Sequence, residues 1–318
     1  MDRDRLNKHR LANFIQSLLL LGGLGTLMGA LGWIVGGGMI ATVAVVTVMV
    51  LYWLNPAVSP RWVLRLYRAR PIRSWEAPGL TAILGELARR AELPRTPELY
   101  YLPSDVMNAF AVGNRRGAAI ALSDGLLRRL DLRELAAVIA HEISHIRHDD
   151  VRLMGFADIA GRMTHALATL GALLVLINVP LVALGAVTVS WMAIGVLIAA
   201  PAVSALLQLA LSRTREYHAD AGAAELTADP AALASALAKM ERIQGGVFER
   251  LFWPQKRVTE PSLLRSHPPT AQRIERLLAL STEDTRGPLQ WEAGTQIPPV
   301  PIARNAIRPR WHRRGLWF

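Results

Sequence analysis

The apolar residues of this chain are concentrated in two long runs. The first covers residues 14–54 and is interrupted by three consecutive glycines at 36–38, and the second covers residues 166–211 with almost no charge. About 20 apolar residues cross the core of a bilayer, so each run is long enough for two spans joined by a tight turn. The pattern predicts four transmembrane helices in two hairpins. The first run lacks a small-residue cleavage site, which favours a retained hairpin over a signal peptide.

Basic residues flank the first run and are absent from both predicted turns, at 36–38 and 187–190. The flanking residues are Arg3, Arg5, Lys8 and Arg10 before the run, and Arg61, Arg65, Arg68, Arg70 and Arg73 after it. Because basic residues stay on the cytoplasmic side, both termini and the soluble part are predicted to be cytoplasmic. We therefore expect a multi-pass protein of the cell (inner) membrane.

Between the two apolar runs the pattern changes to that of a folded soluble unit. Residues 77–93 have helical apolar spacing, which Pro94 ends. Three short apolar runs at 98–102, 109–112 and 118–122 are separated by proline and glycine and predict the strands of a small sheet.

The segment His141-Glu142-Ile143-Ser144-His145 is an HExxH pattern inside a predicted helix. Asp131 and Glu134 form a capping box at the start of that helix. Residues i and i+4 share a helix face, so His141 and His145 can bind one zinc ion, and Glu142 can take a proton from a water that the metal activates. The alternative is a charged helix face that carries two histidines by chance.

A catalytic zinc needs a third protein ligand, and a second helical segment offers one. Glu216 and Asp220 lie one turn apart there. We predict that Glu216 completes a site for one Zn²⁺ per chain. Asp220 could accept a hydrogen bond from a ligand histidine and so fix its tautomer.

These patterns together predict a mostly α-helical membrane protein with four transmembrane helices and a cytoplasmic, zincin-like α+β catalytic unit containing a small sheet. The predicted divisions are an amino-terminal hairpin, two catalytic parts on either side of a second hairpin, and a basic tail rich in proline and tryptophan. Their bounds are 1–58, 59–165, 166–211, 212–280 and 281–318. The tail is predicted to be disordered, and the alternative is that it binds a membrane face or a partner groove.

Composition changes this picture little. The net charge of +11 could suggest nucleic acid as a partner, but no nucleic-acid-binding motif accompanies it, and arginines next to a membrane explain much of it. The chain has no cysteine, which excludes disulfides and thiolate ligands.

Four sequence blocks, in this order, resemble the HtpX heat-shock metalloproteases, which are related to the CAAX prenyl proteases. They are Asn108-Ala109-Phe110-Ala111 with Gly113, the helix around His141-Glu142-Ile143-Ser144-His145, the segment 212–222, and His267-Pro268-Pro269 followed by Arg273. The resemblance implies a zinc-dependent membrane endopeptidase of the stress response that degrades damaged or misfolded membrane proteins.

The resemblance also implies residue roles. His141, His145 and Glu216 match the zinc ligands and Glu142 the catalytic base. Further candidates for contacting the transition state or orienting the ligands are Asp220, His267, Tyr217, Asp150 and Arg273. Asp150 could instead be an ordinary solvated residue of its helix. His267 could instead belong to a rigid loop that precedes a helix predicted over 269–280.

Substrate binding is predicted along the strand before the zinc helix. If that strand lay at the sheet edge, it could pair with a substrate backbone by strand addition. The predicted substrate-binding residues are Asn108, Ala118, Ala119, Ile120 and Ala121. The alternative is an ordinary strand of the sheet.

The expected partners are the lipid bilayer and membrane-protein or peptide substrates, with no nucleic acid. Two other functions stay open. One is a processing peptidase of narrow specificity, and the other is a membrane scaffold that keeps zinc for structure only. An intact Glu142 argues against the scaffold, because a structural zinc site needs no base.

Overall fold

The computed structural model describes residues 3–54, 60–186, 189–251 and 270–280. The helices are α1 (Arg3–Leu54), α2 (Pro60–Leu66), α3 (Pro78–Arg90), α4 (Asp124–Arg129), α5 (Leu132–Arg147), α6 (Asp150–Ala183), α7 (Trp191–Thr227), α8 (Pro230–Leu251) and α9 (Thr270–Leu278). The strands are β1 (Arg70–Pro71), β2 (Glu98–Leu102), β3 (Ala109–Asn114) and β4 (Gly117–Ser123).

Helix α1 reverses direction at two glycines. Gly37 has φ 70° and ψ −162°, a conformation that glycine adopts readily because it has no Cβ. A methyl group at Gly32 would lie 2.8 Å from the Cα of Ala41. Nine residues of straight helix would separate these positions by about 13 Å, so the two halves of α1 pack antiparallel.

Three helical segments among the described residues are long and apolar enough to cross a membrane: Leu18–Thr47, Leu153–Ala183 and Trp191–Thr227. They pack side by side through buried apolar clusters, one of which joins Met28, Phe156 and Leu197. Helix α7 has 37 residues. At 1.5 Å per residue it is about 55 Å long, which exceeds a hydrocarbon core of about 30 Å. Its carboxy-terminal part therefore extends beyond the bilayer.

The four strands form one sheet in the order β1-β2-β4-β3. Strand β4 is parallel to β2, whereas the other pairs are antiparallel. The prediction that residues 118–122 form an edge strand is wrong, because β4 is hydrogen-bonded on both sides. Its residues are buried from Ala119 to Ser123, as an inner strand requires. Within the described residues, β3 forms the outer edge next to β4.

The soluble core packs around α5, which lies against the sheet, α3, α7 and α8. The side chain of Asp131 caps α5 and forms the predicted capping box with Glu134. Glu134 also accepts hydrogen bonds from Ser235 and Lys239 of α8, both at 2.7 Å. This buried carboxylate therefore fixes the start of α5 to α8.

Most predicted elements of the soluble part are confirmed with small shifts of their ends. The helix predicted over 77–93 is α3, and the helix predicted over 269–280 contains α9. Helix α8 continues to Leu251. Residues 252–269 and the tail 281–318 lie outside the described residues.

Candidate metal centre

Helix α5 places two imidazole nitrogens side by side. The Nε2 atoms of His141 and His145 are 3.1 Å apart, as expected of residues that share one face of a helix. The apolar face of the same helix is fully buried through Leu135, Ile139 and Ile143. Burial of that face fixes the rotation of α5 and therefore the direction in which the two histidines point.

Helix α7 brings the third donor from beyond the membrane hairpin. An oxygen of Glu216 lies 3.5 Å from Nε2 of His141, and the other lies 3.7 Å from Nε2 of His145. The three residues offer ligand atoms that all lie within 4.8 Å of one another. The structure thus brings the predicted ligands together from two distant parts of the chain.

The spacing of these donors fits a zinc ion. Four ligands held tetrahedrally at bond lengths of about 2.0–2.1 Å lie about 3.3 Å from one another. The separations of 3.1, 3.5 and 3.7 Å, of which the last two involve different oxygens of Glu216, lie near that value. Two imidazoles and one carboxylate are also a common catalytic zinc set, which leaves a fourth position for water or substrate.

Each ligand histidine has a carboxylate behind it. The Nδ1 atom of His145 lies 2.8 Å from Oδ2 of Asp150, and the Nδ1 atom of His141 lies 3.1 Å from Oδ1 of Asp220. With Nδ1 engaged in this way, the Nε2 lone pair of each ring is left for a metal. The alternative of a solvated Asp150 is wrong, because this residue is only 2% exposed.

Two arginines neutralise these carboxylates. Arg215 of α7 donates from Nη1 to Oδ1 of Asp150 at 2.9 Å. Arg273 of α9 donates to both oxygens of Asp220, at 2.8 and 2.6 Å, and its Nη1 lies 2.9 Å from Glu216. Arg273 is 5% exposed, so α9 closes one side of the site with a buried charge.

The carboxylates give the site a strong preference for positive charge. Burial alone would lower the pKa of His141, but hydrogen bonds to Asp220 and Glu216 outweigh it and raise this pKa to about 10. Burial likewise lowers the pKa of His145, and the hydrogen bond to Asp150 more than reverses the effect. A divalent cation on the Nε2 atoms would satisfy the same electrostatic demand.

The model of peptidase family M48 matches residues 74–281, which contain the whole donor cluster. The chain belongs to peptidase family M48. It is 33% identical over 282 residues to a protease HtpX homolog of Paraburkholderia phytofirmans, which covers 85% of this chain and 97% of that protein. It is 36% identical over 289 residues to a protease HtpX homolog of Acidiphilium cryptum, with 86% and 98% covered.

Among solved structures, the M48 chain is similar to Ste24p of S. mikatae, with a TM-score of 0.46 and 20% identity over 85% of this chain and 66% of that one. The resemblance to HtpX proteases and the prediction of a metalloprotease are confirmed by family membership and by the relatives. Its three helical segments that are long and apolar enough to cross a membrane indicate a multi-pass membrane protein.

The remaining predicted residues lie at different distances from the cluster. Glu142 is half-buried on α5, and its charge contributes to raising the pKa of Arg273. Tyr217 donates from its hydroxyl to Gln272 at 3.0 Å, and Arg276 lies 3.8 Å over its ring. These contacts join α7 to α9 and support a structural role for Tyr217. His267 lies outside the described residues.

The geometry of the sheet does not favour pairing of a substrate with the predicted strand. Ala118, Ala119, Ile120 and Ala121 lie on the inner strand β4, whose backbone is already paired on both sides. Asn108 stands just before β3, where its backbone N–H and C=O bond to Ser123. Arg215 was not predicted from the sequence, although it lies next to Glu216. The available signal was Asp150, an acidic residue just after the helix that carries the two histidines.

Proposed function

We propose that this M48 protein is a zinc-dependent endopeptidase that hydrolyses damaged or misfolded membrane proteins at the cytoplasmic face of the cell membrane. The observation that carries the proposal is the cluster of His141, His145 and Glu216 at zinc-ligand spacing, with Glu142 beside it. Glu216 brings the cluster to the part of α7 that extends beyond the bilayer, where soluble segments of membrane proteins are accessible.

A bound zinc ion supplies Lewis-acid polarisation of the scissile carbonyl and lowers the pKa of water at the site. Glu142 accepts a proton from the attacking water on its carboxylate and returns it to the leaving amine. Asp150 and Asp220 hold the imidazoles in the tautomer that exposes Nε2. Arg273 places its positive charge against the carboxylates of Glu216 and Asp220 within the buried site.

The membrane arrangement that we propose has four crossings. Each half of α1 crosses once because the helix reverses at Gly37, and α6 and α7 form the second hairpin. The basic residues before and after α1 favour a cytoplasmic location for both termini and for the metal centre. The divisions at residues 58, 165, 211 and 280 belong to the same proposal.

We place substrate binding on the outer strand β3 instead of on β4. Strand β3 packs against α5 and is paired with β4 on one side, so its other edge is the one that could pair with an extended peptide. Backbone pairing recognises an unfolded segment with little dependence on sequence. Such a recognition mode suits a protease for damaged proteins better than a processing enzyme for one motif.

The test is the substitution Glu142→Gln, with Glu241→Gln on the exposed surface of α8 as the matched control. We expect the Glu142 variant to bind zinc like the wild type while cleavage of casein and of itself is lost. The control should keep both properties. Wild-type protein that binds zinc but cleaves neither casein nor unfolded membrane proteins would support the scaffold instead. Cleavage confined to one motif of a peptide library would support the processing peptidase.

A further inference from the structure

A basic and aromatic surface lies on the soluble part directly after α1. It consists of Arg61, Trp62, Arg65, Leu66, Arg73 and Trp75, and we call it the α2 face. Trp62, Leu66 and Trp75 are 62%, 67% and 71% exposed. Trp62 and Leu66 lie one helical turn apart on α2, and large apolar side chains that are this exposed indicate a surface that is covered in the working protein.

The α2 face is rigidly attached to the sheet. Leu64, on the opposite side of α2, is buried against Ala119 and Ala121, with Phe110 packed around them. Helix α2 is therefore amphipathic, with one side fixed to the protein and the other side presented outward. The exposure of Trp62 and Leu66 is thus a property of the folded unit.

Basic residues predominate on this surface. Residues 60–75 contain five arginines and no acidic residue, and the next residue is Glu76. Arg70 is paired with Glu76 at 2.9 Å, while Arg73 lies 4.9 Å over the ring of Trp75. Arg61 and Arg65 are exposed beside Trp62 and Leu66. Mixed arginine and tryptophan on one face suit the interface between water and an anionic lipid surface.

The position along the chain places this surface near the bilayer. Only residues 55–59 separate the end of α1 at Leu54 from Pro60. Six peptide links span at most about 22 Å, so α2 begins close to the end of a membrane-crossing segment. The bilayer that holds α1 is therefore within reach of α2.

We propose that the α2 face lies in the headgroup layer of the same membrane and binds anionic phospholipid. Trp62, Leu66 and Trp75 enter the interface while Arg61 and Arg65 contact phosphate groups. Because α2 is packed on β3 and β4, this contact fixes the height and tilt of the sheet, and of the metal centre behind it, above the bilayer. The proposal depends on membrane insertion and is independent of peptidase activity.

The absence of cysteine makes a direct test simple. Single cysteines replace Trp62, Leu66 or Trp75 in the full-length Glu142→Gln protein, which avoids self-cleavage, and each is labelled with a nitroxide. The protein is placed in nanodiscs of phosphatidylcholine with phosphatidylglycerol. Collision with oxygen and with a water-soluble nickel complex then reports depth. Ala231→Cys is the control, because it is exposed just after the end of α7 that lies beyond the bilayer.

We expect the labels at 62, 66 and 75 to show several-fold more oxygen contact relative to nickel than the label at 231. Exchange of Arg61 and Arg65 for glutamine, or removal of phosphatidylglycerol, should shift the labels at 66 and 75 toward water. Labels as accessible to nickel as the one at 231 would overturn the proposal. Depth that is independent of phosphatidylglycerol would overturn its lipid specificity, and protection that persists in detergent and rises with protein concentration would show a second copy instead.

Discussion

The two histidines that we propose as zinc ligands each have an Asp–Arg ion pair behind the ring. Asp150 and Arg215 support His145, whereas Asp220 and Arg273 support His141. All four supporting residues are largely buried, so the geometry of each ring is determined by groups that never touch the metal. Such supporting carboxylates commonly change metal affinity as much as activity.

Asp150→Asn tests this support directly. The substitution removes the charge that accepts the Nδ1 proton of His145 and leaves Arg215 without its partner. We expect the Kd for zinc, measured by competition with a chelator, to rise about 10–100-fold. The fold should survive, since the amide keeps the size of the carboxylate.

The matched control is Asp149→Asn, one residue earlier. Asp149 makes no capping hydrogen bond with its side chain and has φ 53°, which asparagine tolerates. The Asp149→Asn variant should bind zinc with the same affinity as the wild type. If both variants bind zinc with wild-type affinity, Asp150 does not position His145.

At the residue scale, the sequence predicts which side chains lie together when they belong to the same helix. The helical period alone brings His141 and His145 together, and the same period relates Glu216 to Asp220. The partnership of Asp150 with Arg215, and of Asp220 with Arg273, depends on how separate helices approach one another. The spacing of residues along the chain does not give the distance between separate helices. Arg215 was therefore missed, and Arg273 was found only through the family resemblance.

At the scale of elements, the crossing of α5 and α7 determines whether the third ligand reaches the histidines. The helices touch at Gly222, where an added methyl group would lie 2.1 Å from Oγ and 3.0 Å from Cβ of the fully buried Ser144. Ser144 stands within the HExxH segment. A larger residue at 222 therefore pushes Glu216 away from His141 and His145.

We expect Gly222→Ala to lower the free energy of unfolding by about 1–3 kcal/mol and to weaken zinc binding. Thermal unfolding in detergent and chelator competition measure the two effects. Gly85→Ala is the control, because a methyl group in this part of α3 meets nothing within 4 Å. That change should be neutral or stabilise by about 0.4–1 kcal/mol. Wild-type zinc affinity in the Gly222 variant would show that this contact does not set the ligand geometry.

The ion pair between α5 and α8 gives a prediction for pH. Burial alone would raise the pKa of Glu134, but hydrogen bonds from Lys239, Ser235 and the backbone of Asp131 lower it. A carboxylate with a lowered pKa in the folded state stabilises the fold above its unfolded pKa of about 4.3, and this contribution is lost as pH falls through the folded pKa.

Glu134→Gln isolates the charge, because glutamine still completes the capping box. We expect it to destabilise the protein by about 1–3 kcal/mol at neutral pH, with a difference from wild type that shrinks below about pH 4. Unfolding midpoints across pH, with the exposed Glu241→Gln as control, measure this. A difference that stays constant down to pH 3 would argue against an ionised Glu134 as its cause.

The helices and strands were largely predictable from the sequence, whereas the order in which the strands lie in the sheet was not. Asp131 with Glu134 marked the start of α5, and the strands were found within two residues. The order of the strands was not readable, because β4 enters the sheet between β2 and β3, which precede it in sequence. Strand β1 has two residues and exists through its pairing with β2, so it left no pattern of its own.

At the scale of the whole molecule, the proposed metal centre joins the two ends of the apolar hairpin formed by α6 and α7. The histidines precede α6, Glu216 follows the apolar part of α7, and Asn178 holds the turn between these helices by bonding both N–H and C=O of Val189. The apolar runs predicted this topology, because the soluble part returns where the second hairpin ends.

Removal of the metal should therefore loosen the soluble part as well as stop catalysis. A ligand that binds only the folded state at about 1,000 times its Kd stabilises it by about 4 kcal/mol. We expect chelation to lower the Tm of the Glu142→Gln protein and to speed hydrogen exchange in α5, the end of α7 and α9. Exchange in α3 and in the membrane-crossing part of α1 should change little, since neither contributes a donor. Re-addition of zinc should restore both readouts. Equal Tm and equal exchange with and without metal would mean that the ion pairs of Asp150 and Asp220 alone hold α5 to α7.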